Sequence, residues 1–236
     1  MANKRADGRA NKATLRPLVC ELSCLHRPDG SALWKAGSTH VLAAVYGPIA
    51  PQNMNNEKDI GIVSVVIKSG SSENSLYENE IGEFISKILT SSIDVSVFPR
   101  CVIEVVLQII QSDGSLIGCL LHGAIAALMD AGIDLLHLPV ATTCLVSTKR
   151  DKDPILLDPT SSEEQAERDS SIIVLVNEER KPDRILGSHT IGSGTSLDDF
   201  LACTQISSKA CSAIPAFWRL AMEQKLNRES QTLWSR

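Results

Sequence analysis

Residues 21–48, ELSCLHRPDGSALWKAGSTHVLAAVYGP, decide the fold more than any other stretch of the chain. At 27–30 a proline, an aspartate that can bond the backbone ahead and a glycine suited to a positive φ follow one another, which is typical of a tight turn. Residues 37–39 turn the chain again, and the apolar run at 41–46 favours a strand. No helical period connects the two turns. The stretch therefore predicts a hairpin followed by a further strand.

Length and composition predict a globular protein around this stretch. The chain has 236 residues, 43% of them hydrophobic and 22% charged, which is enough to bury a core. Its seven cysteines form an odd set without a Cys-x-x-Cys pair, so we expect free thiols rather than a disulfide framework or a zinc site. No apolar run reaches the ~18 residues that span a bilayer, and the first residues lack the apolar core of a signal peptide. We expect a soluble, unsecreted protein without a membrane partner.

The charge pattern limits nucleic-acid binding to local contacts. The net charge is −5, whereas affinity for phosphates comes mainly from lysine and arginine. The N-terminus is the exception, since its cations outnumber its acids. These cations are Lys4, Arg5, Arg9, Lys12 and Arg16, against Asp7 alone. The composition predicts a flexible, solvated basic arm over residues 1–14, ahead of a single domain at 15–230 and a tail at 231–236.

The remaining patterns alternate strands with helices. Apolar residues recur every three or four positions over 76–92, which predicts an amphipathic helix. Residues 101–110 are apolar at almost every position, as in a strand covered on both faces, and 115–131 predict a helix buried all round. Further strands are predicted at 140–147, 155–157, 172–177 and 184–191. Ser196 and Asp199 open a last helix, which Pro215 should kink. The order predicts an α+β fold in which helices pack a sheet, with a long C-terminal helix.

These motifs together resemble the RNase PH family, whose chains open with a radDGSa turn, a GnT turn and a VlaaVyGP strand. FPR at 98–100, the Q-x-D of Gln111 and Asp113, and ALMDAGI at 127–133 extend the resemblance over about residues 15–230. It implies an RNase PH-like fold, of the ribosomal protein S5 domain 2-like type. The chain is most similar to the ring subunits of the RNA exosome. This implies a role in 3′-to-5′ RNA processing and degradation in nucleus, nucleolus and cytoplasm, with other RNase PH-type subunits and single-stranded RNA as partners.

The resemblance also implies where the family's phosphate site falls. Active members cleave RNA with inorganic phosphate, held by a GTRT turn at the N-terminus of a buried helix. That turn corresponds to residues 115–118, SLIG, so Ile117 stands where the phosphate-binding arginine belongs. An aliphatic side chain offers no charge, and orthophosphate should bind poorly. Ser115 is predicted to hold an anion weakly, or to be an ordinary N-cap.

A second basic site of the family is also altered. Where the family carries an arginine pair ahead of the first helix, this chain has LYENE at 76–80, an acidic patch that should repel RNA. Lys68, Arg27 and Arg100 remain as candidate contacts to an RNA phosphate backbone, or as plain surface cations.

Two carboxylates of the family are better kept. They lie six residues apart, as a general acid and as possible magnesium ligands, and correspond to Asp158 and Glu164. Glutamate in place of aspartate shifts the carboxylate by about 1.5 Å, which should damage the site without forbidding Mg²⁺. Two capping boxes also fit this segment: Thr160 with Glu163, and Ser161 with Glu164. Capping is the preferred interpretation for Glu163, and both interpretations stay open for Glu164.

Three functions follow, and the absence of the phosphate-binding arginine at Ile117 favours the first of them, while the two carboxylates keep the second open. The first is a ring subunit that acts by assembly and RNA contact. The second is an active nuclease, either a phosphorolytic 3′-5′ exoribonuclease with phosphate as co-substrate or a metal-dependent hydrolase of RNA or DNA. The third is a self-associating homologue, such as a homodimer, that works apart from the ring. His122, on the buried helix, is predicted to be a satisfied core residue rather than a base or a metal ligand.

Overall fold

The computed structural model describes residues 5, 7–9, 11–50, 61–70, 75–147, 155–166, 170–192 and 194–234. These residues form nine strands and five α-helices, with one 3₁₀ turn at Val95–Val97. The strands are β1 Leu18–Leu22, β2 Gly30–Ala36, β3 Thr39–Ile49, β4 Ile62–Lys68, β5 Val102–Gln111, β6 Pro139–Val146, β7 Ile155–Leu157, β8 Ser171–Glu178 and β9 Ile185–Gly192. The helices are α1 Ser75–Ser92, α2 Leu116–Asp130, α3 Ser161–Ala166, α4 Leu197–Ala210 and α5 Ile214–Trp234.

The strands form two sheets. The first has five strands in the order β1-β2-β3-β5-β4, and the second has four in the order β7-β6-β8-β9. All neighbours are antiparallel except β4 and β5, which run parallel with α1 connecting them. β5 lies inside the first sheet as predicted, but only Ile103, Val105 and Leu107 on one of its faces are buried, while most side chains of the other face are half-buried. The fold is α+β, as the sequence predicted.

α2 packs between the two sheets, which explains its small residues. A Cβ on Gly123 would lie 3.6 Å from both Trp34 and Val41 of the first sheet. A Cβ on Gly118 would lie 3.8 Å from the Ala141 side chain of the second. Twelve residues of this helix are buried, so the prediction of a helix buried all round is confirmed. His122 belongs to this core, and its Nε2 accepts the Ala141 amide at 3.0 Å.

The opening stretch forms β2 and β3 as predicted, but the turn residues Asp29 and Gly30 have other roles than those expected. Gly30 does not take a positive φ; a Cβ there would lie 2.3 Å from the Ala127 oxygen and the Ala131 nitrogen of the end of α2. Asp29 bonds not the backbone ahead but the Gly47 amide, at 2.8 Å. The Asp130 carboxylate of α2 in turn accepts the Ser31 amide at 2.8 Å. This motif therefore joins β2 to β3 and α2.

The C-terminal region differs from the prediction of one kinked helix. α4 ends at Ala210, and α5 begins anew at Ile214. Pro215 is the second residue of α5, where its missing N–H removes no helical hydrogen bond. Ser196 caps α4 by accepting the Asp199 amide, as predicted. α5 continues through Trp234, so residues 231–234 extend the helix rather than form a separate tail.

Two further predictions concern the cysteines and the membrane. All seven cysteines are free thiols, as expected, and five of them are buried. Within the part of the chain that the structure describes, no helix has the length and apolar character to cross a membrane.

Candidate active site

The N-terminus of α2 is reached through an unusual turn. Gly114 and Ser115 both have positive φ, 77° and 49°, and the Ser115 side chain makes no capping bond to the helix. Its hydroxyl donates instead to the Pro159 carbonyl at 3.0 Å, and its amide donates to Glu164 Oε1 at 3.0 Å. Ser115 is thus not an ordinary N-cap. A carboxylate of the chain itself occupies the position in which an anion would meet this amide.

Arg16 and Thr39 hold this turn from the other side. The guanidinium of Arg16, which is 5% exposed, donates to the carbonyls of Asp113 at 2.6 Å and Gly114 at 3.2 Å. The Thr39 hydroxyl accepts the Asp113 amide at 2.9 Å and donates to the Gly114 carbonyl at 3.0 Å. The GST turn of the opening stretch therefore positions the entrance to α2.

Asp158 is bound by Arg16 rather than open to a substrate. Its Oδ1 accepts from Nη2 at 2.7 Å, and its Oδ2 accepts from Nε at 3.0 Å and from the Arg16 amide at 2.8 Å. Burial alone would raise the pKa of Asp158, but the Arg16 hydrogen bonds and charge outweigh burial and hold the pKa below its ordinary value. Asp158 is a carboxylate locked in a two-point ion pair.

The basic arm differs from the solvated tail that its composition predicts. Arg5 is 8% exposed and donates to both oxygens of Glu163, at 2.9 and 2.7 Å, and to the Leu157 carbonyl at 2.8 Å. Arg9 donates to the Asp158 carbonyl at 2.8 Å. Arg5 and Arg9 are therefore folded onto residues 157–163, where carbonyl and carboxylate oxygens accept hydrogen bonds from their guanidinium groups.

The two glutamates of α3 have different roles. Glu163 accepts the Thr160 amide at 3.0 Å, which confirms the capping interpretation for this residue. Burial opposes ionisation of Glu163, but its bonds with Arg5 and the Thr160 amide lower its pKa to about 2. Glu164 faces the other way, toward Ser115, and burial raises its pKa. Glu164 caps α2 rather than its own helix.

The predicted magnesium pair does not fit a metal in this arrangement. Both oxygens of Asp158 are engaged by Arg16, and a cation at Asp158 would have to displace a guanidinium. The described residues contain no group of three or more histidine, cysteine, aspartate or glutamate side chains that could hold a metal ion. Glu164 alone would offer a carboxylate. No metal-dependent step is derived for this site.

A cavity of about 200 Å³ opens beside the N-terminus of α2. Its apolar walls come from α2, β8 and β9, and its polar lining includes Ser112, Ser115, Thr143 and Glu164. Ile117, the residue predicted to stand in place of a phosphate-binding arginine, lines it. Tyr77 and Glu164 also line it, and burial followed by the charges of Glu164 and Glu80 raises the pKa of Tyr77. The surroundings of this cavity are apolar and acidic.

The structure brings together only part of the predicted site. Ser115, Asp158 and Glu164 meet at the start of α2. Lys68 ends β4 beside Gln108, toward the same end of β5. Arg100 precedes β5, roughly 30 Å away by the length of that strand, and Arg27 lies near the same far end, before β2.

Sequence reasoning missed Arg5, Arg9, Arg16, Thr39 and Thr143. Thr143 of β6 is 4% exposed and lines the cavity, yet its hydroxyl has no partner. The signal for the arginines was available. An Asp-Gly turn lies between Arg5 and Arg9, and such a turn is unusual in a disordered arm. Nothing in the sequence indicated that these cations face residues 150 positions away.

Comparison with known proteins agrees with this architecture. The model of the 3′ exoribonuclease family, domain 1 (RNase PH), matches residues 14–134. An Arabidopsis thaliana protein named exosome complex exonuclease RRP46 homolog is 33% identical over 95% of this chain and 98% of its own length. A solved structure of rice Rrp46 is 35% identical, with a TM-score of 0.81 over 91% of this chain and 98% of that one. An Archaeoglobus fulgidus exosome structure shares the fold at 19% identity, with a TM-score of 0.77 over 91% of this chain and 92% of that one. The chain belongs to the RNase PH family.

Proposed function

We propose that this chain is an RNase PH-type ring subunit of the RNA exosome. It supports 3′-to-5′ RNA processing and degradation, including rRNA processing and mRNA turnover, chiefly by assembly and contact with single-stranded RNA. Its partners are other RNase PH-type subunits. Similarity over nearly the whole length of a protein named exosome complex exonuclease RRP46 homolog, and of rice Rrp46, supports this proposal. We further propose the nucleus, nucleolus and cytoplasm as its locations, since these follow from that role.

One observation at the start of α2 supports a role in assembly rather than in catalysis. The anion position at the start of α2 holds the Glu164 carboxylate, beside Ile117 in place of an arginine. A phosphate nucleophile there would meet negative charge and no guanidinium, so binding of its ground state and transition state would both be weak. Asp158, meanwhile, is held by Arg16.

The nuclease remains the second candidate because of Glu164. Its pKa is raised by burial, which is the property of a carboxyl that can donate a proton. In this candidate, inorganic phosphate is a co-substrate or Mg²⁺ a cofactor, and Glu164 is the group to test. A homodimer of the chain purified alone belongs to the same candidate.

The test separates assembly from activity. The chain is co-expressed with the other RNase PH-type subunits of its ring, and the complex is sized by sedimentation velocity. The chain alone is sized in parallel and incubated with 3′-labelled single-stranded RNA or DNA, with and without phosphate and with and without Mg²⁺. We expect a mixed ring and no cleavage by the isolated chain.

Glu164→Gln is the informative variant, with Glu83→Gln on the exposed face of α1 as its control. Asp158→Asn is less useful, because it removes the buried ion pair with Arg16 and should destabilise the folded chain. Release of nucleoside diphosphate that requires phosphate, or of monophosphate that requires Mg²⁺, and that is lost in Glu164→Gln, would establish the nuclease instead. A stable homodimer that excludes the other subunits would contradict the ring role.

A further inference from the structure

The cavity at the start of α2, here called the Thr143 pocket, has the composition of a site for a flat, uncharged ring. Ile172 of β8 and Ile191 of β9 pair across the second sheet and form one wall. Leu116 and Ile117 of α2 form another. None of the described residues that line it is a lysine or an arginine. A phosphate group has no cation to meet there, whereas an aromatic ring would bury its faces against aliphatic side chains.

One residue that lines the pocket, Thr143, carries an unsatisfied hydroxyl. Along β6, Thr142 points toward α4, where it contacts Ser207, so its neighbour Thr143 points to the opposite face. That face is α2, and a Cβ on Gly118 would lie 3.6 Å from Thr143 Oγ1. The hydroxyl is buried and has no hydrogen-bond partner. Buried polar groups are almost always paired, so an occupant with a polar edge would complete this one.

A second polar group that lines the pocket, the Glu164 carboxylate, is an acceptor. Glu164 Oε1 already accepts the Ser115 amide, which fixes the carboxylate in place and leaves further lone pairs on both oxygens. A carboxylate accepts hydrogen bonds and donates none when ionised. Tyr77, 42% exposed, lines the same pocket and offers an aromatic face. An occupant should therefore present N–H donors toward Glu164.

We propose that the Thr143 pocket binds a nucleobase with adjacent N–H donors, namely guanine, from single-stranded RNA. Guanine presents a ring N–H and an amino group side by side, which matches the two oxygens of the Glu164 carboxylate. Adenine and uracil lack that pair of donors. The inference rests on the RNA contact of the proposed function, and it gives the altered phosphate site a role in binding a base.

The test uses the full ¹⁵N-labelled chain and follows the Ser115 and Thr143 amides by NMR. Guanosine, adenosine and inorganic phosphate are titrated separately, followed by the RNAs UUGUU and UUUUU. We expect guanosine and UUGUU to shift the resonances of both amides. Adenosine should bind at least tenfold more weakly than guanosine, and UUUUU at least tenfold more weakly than UUGUU. Glu164→Gln should weaken guanosine binding at least tenfold, because it replaces half of the acceptor pair with a donor. The control Glu83→Gln should bind guanosine as the unaltered chain does.

Thr143→Val is a second variant, chosen because it should change guanosine binding without destabilising the fold. It removes a hydroxyl that has no partner in the protein, so stability should hold or rise, while guanosine affinity should fall. Equal binding of guanosine and adenosine, unchanged guanosine binding in both variants, or a Ser115 shift caused by phosphate alone would overturn the proposal. Ring assembly of Glu164→Gln is measured separately by sedimentation and should be unchanged. If the unaltered chain assembles into the ring but does not bind guanosine, only the pocket proposal is refuted. If the unaltered chain does not assemble, the ring role is refuted.

Discussion

The guanidinium of Arg16 connects three parts of the site. It holds the Asp158 carboxylate at two points and the carbonyls of Asp113 and Gly114 at the entrance to α2. All of these groups lie in the interior, where an unpaired charge or acceptor is costly. Arginine suits this position because its five donors are spread over a rigid planar group, whereas the three donors of a lysine leave one compact ammonium.

Arg16→Ala should therefore destabilise the fold strongly. The change leaves Asp158 buried without its partner, and we expect a loss of about 3–5 kcal/mol in the free energy of unfolding. Urea denaturation followed by circular dichroism measures it. Arg219→Ala, which removes an exposed arginine paired with Glu179, is the matched control and should stay within about 0.5 kcal/mol. If the two variants lose similar stability, the Arg16 pair does not support the fold.

Glu163 predicts a dependence of stability on pH. Its pKa is about 2 in the folded chain, against an ordinary value of 4.5. A carboxyl whose pKa is lowered on folding contributes stability above its unfolded pKa, and that contribution is lost as pH falls from about 4.5 through 2. Glu163→Gln should be less stable than the unaltered chain by about 3 kcal/mol at pH 7. The difference in the free energy of unfolding between the two chains should shrink steadily as the pH falls from 5 to 2.5.

Thermal unfolding across that pH range checks this, with Glu83→Gln as the control. Glu83 is exposed and forms a surface pair with Lys87, so its replacement should change the pH profile little. Parallel profiles for Glu163→Gln and the unaltered chain would show that the Arg5 pair does not form.

α2 links the two sheets, and its backbone lies so close to neighbouring strands that some positions around it have no room for a side chain. β2 begins directly against the last turn of α2, and a side chain at Gly30 would collide with backbone atoms of Ala127 and Ala131 at 2.3 Å. Backbone atoms cannot rotate away as a flexible side chain can. The glycine of the DGS turn is thus a packing requirement between a strand and a helix, and it carries no information about catalysis.

Gly30→Ala should cost about 3 kcal/mol or more, since either β2 or the end of α2 must move. Gly70→Ala is the matched control: a Cβ at Gly70 would meet nothing within 4 Å, and the change should stay within about 1 kcal/mol. Both are measured by urea denaturation at one pH. Equal stability of the two variants would mean that the contact of β2 with α2 relaxes freely.

In the molecule as a whole, segments far apart in sequence build the site. The N-terminal arginines, the turn before α2 and the segment from Leu157 to Glu164 meet through hydrogen bonds that span up to 158 positions. The charges of the arm and of this acidic segment largely neutralise each other there. The carboxylates of Asp158 and Glu163 are thereby paired with N-terminal arginines in the interior.

Part of this could be predicted, because local patterns carry it. The bounds of β7, α1 and α2 follow from apolar periodicity and turn residues, which depend on neighbours a few positions apart. The capping of α3 by Glu163 followed from its spacing to Thr160. Pro215 was misjudged, because a proline inside an apolar period and one at the first turn of a new helix look alike until the helix ends are known.

By itself the sequence determined the α+β class and the family, since these depend on local patterns and motifs, and it predicted an aliphatic residue, Ile117, in place of the family's phosphate-binding arginine. Only the tertiary structure decided that Asp158 is bound to Arg16, that Arg5 is buried against Glu163 and that Glu164 faces Ser115. The physical reason is that the protonation and availability of a carboxylate depend on which donors lie within about 3 Å of it. Those donors come from segments that only the folded chain brings together.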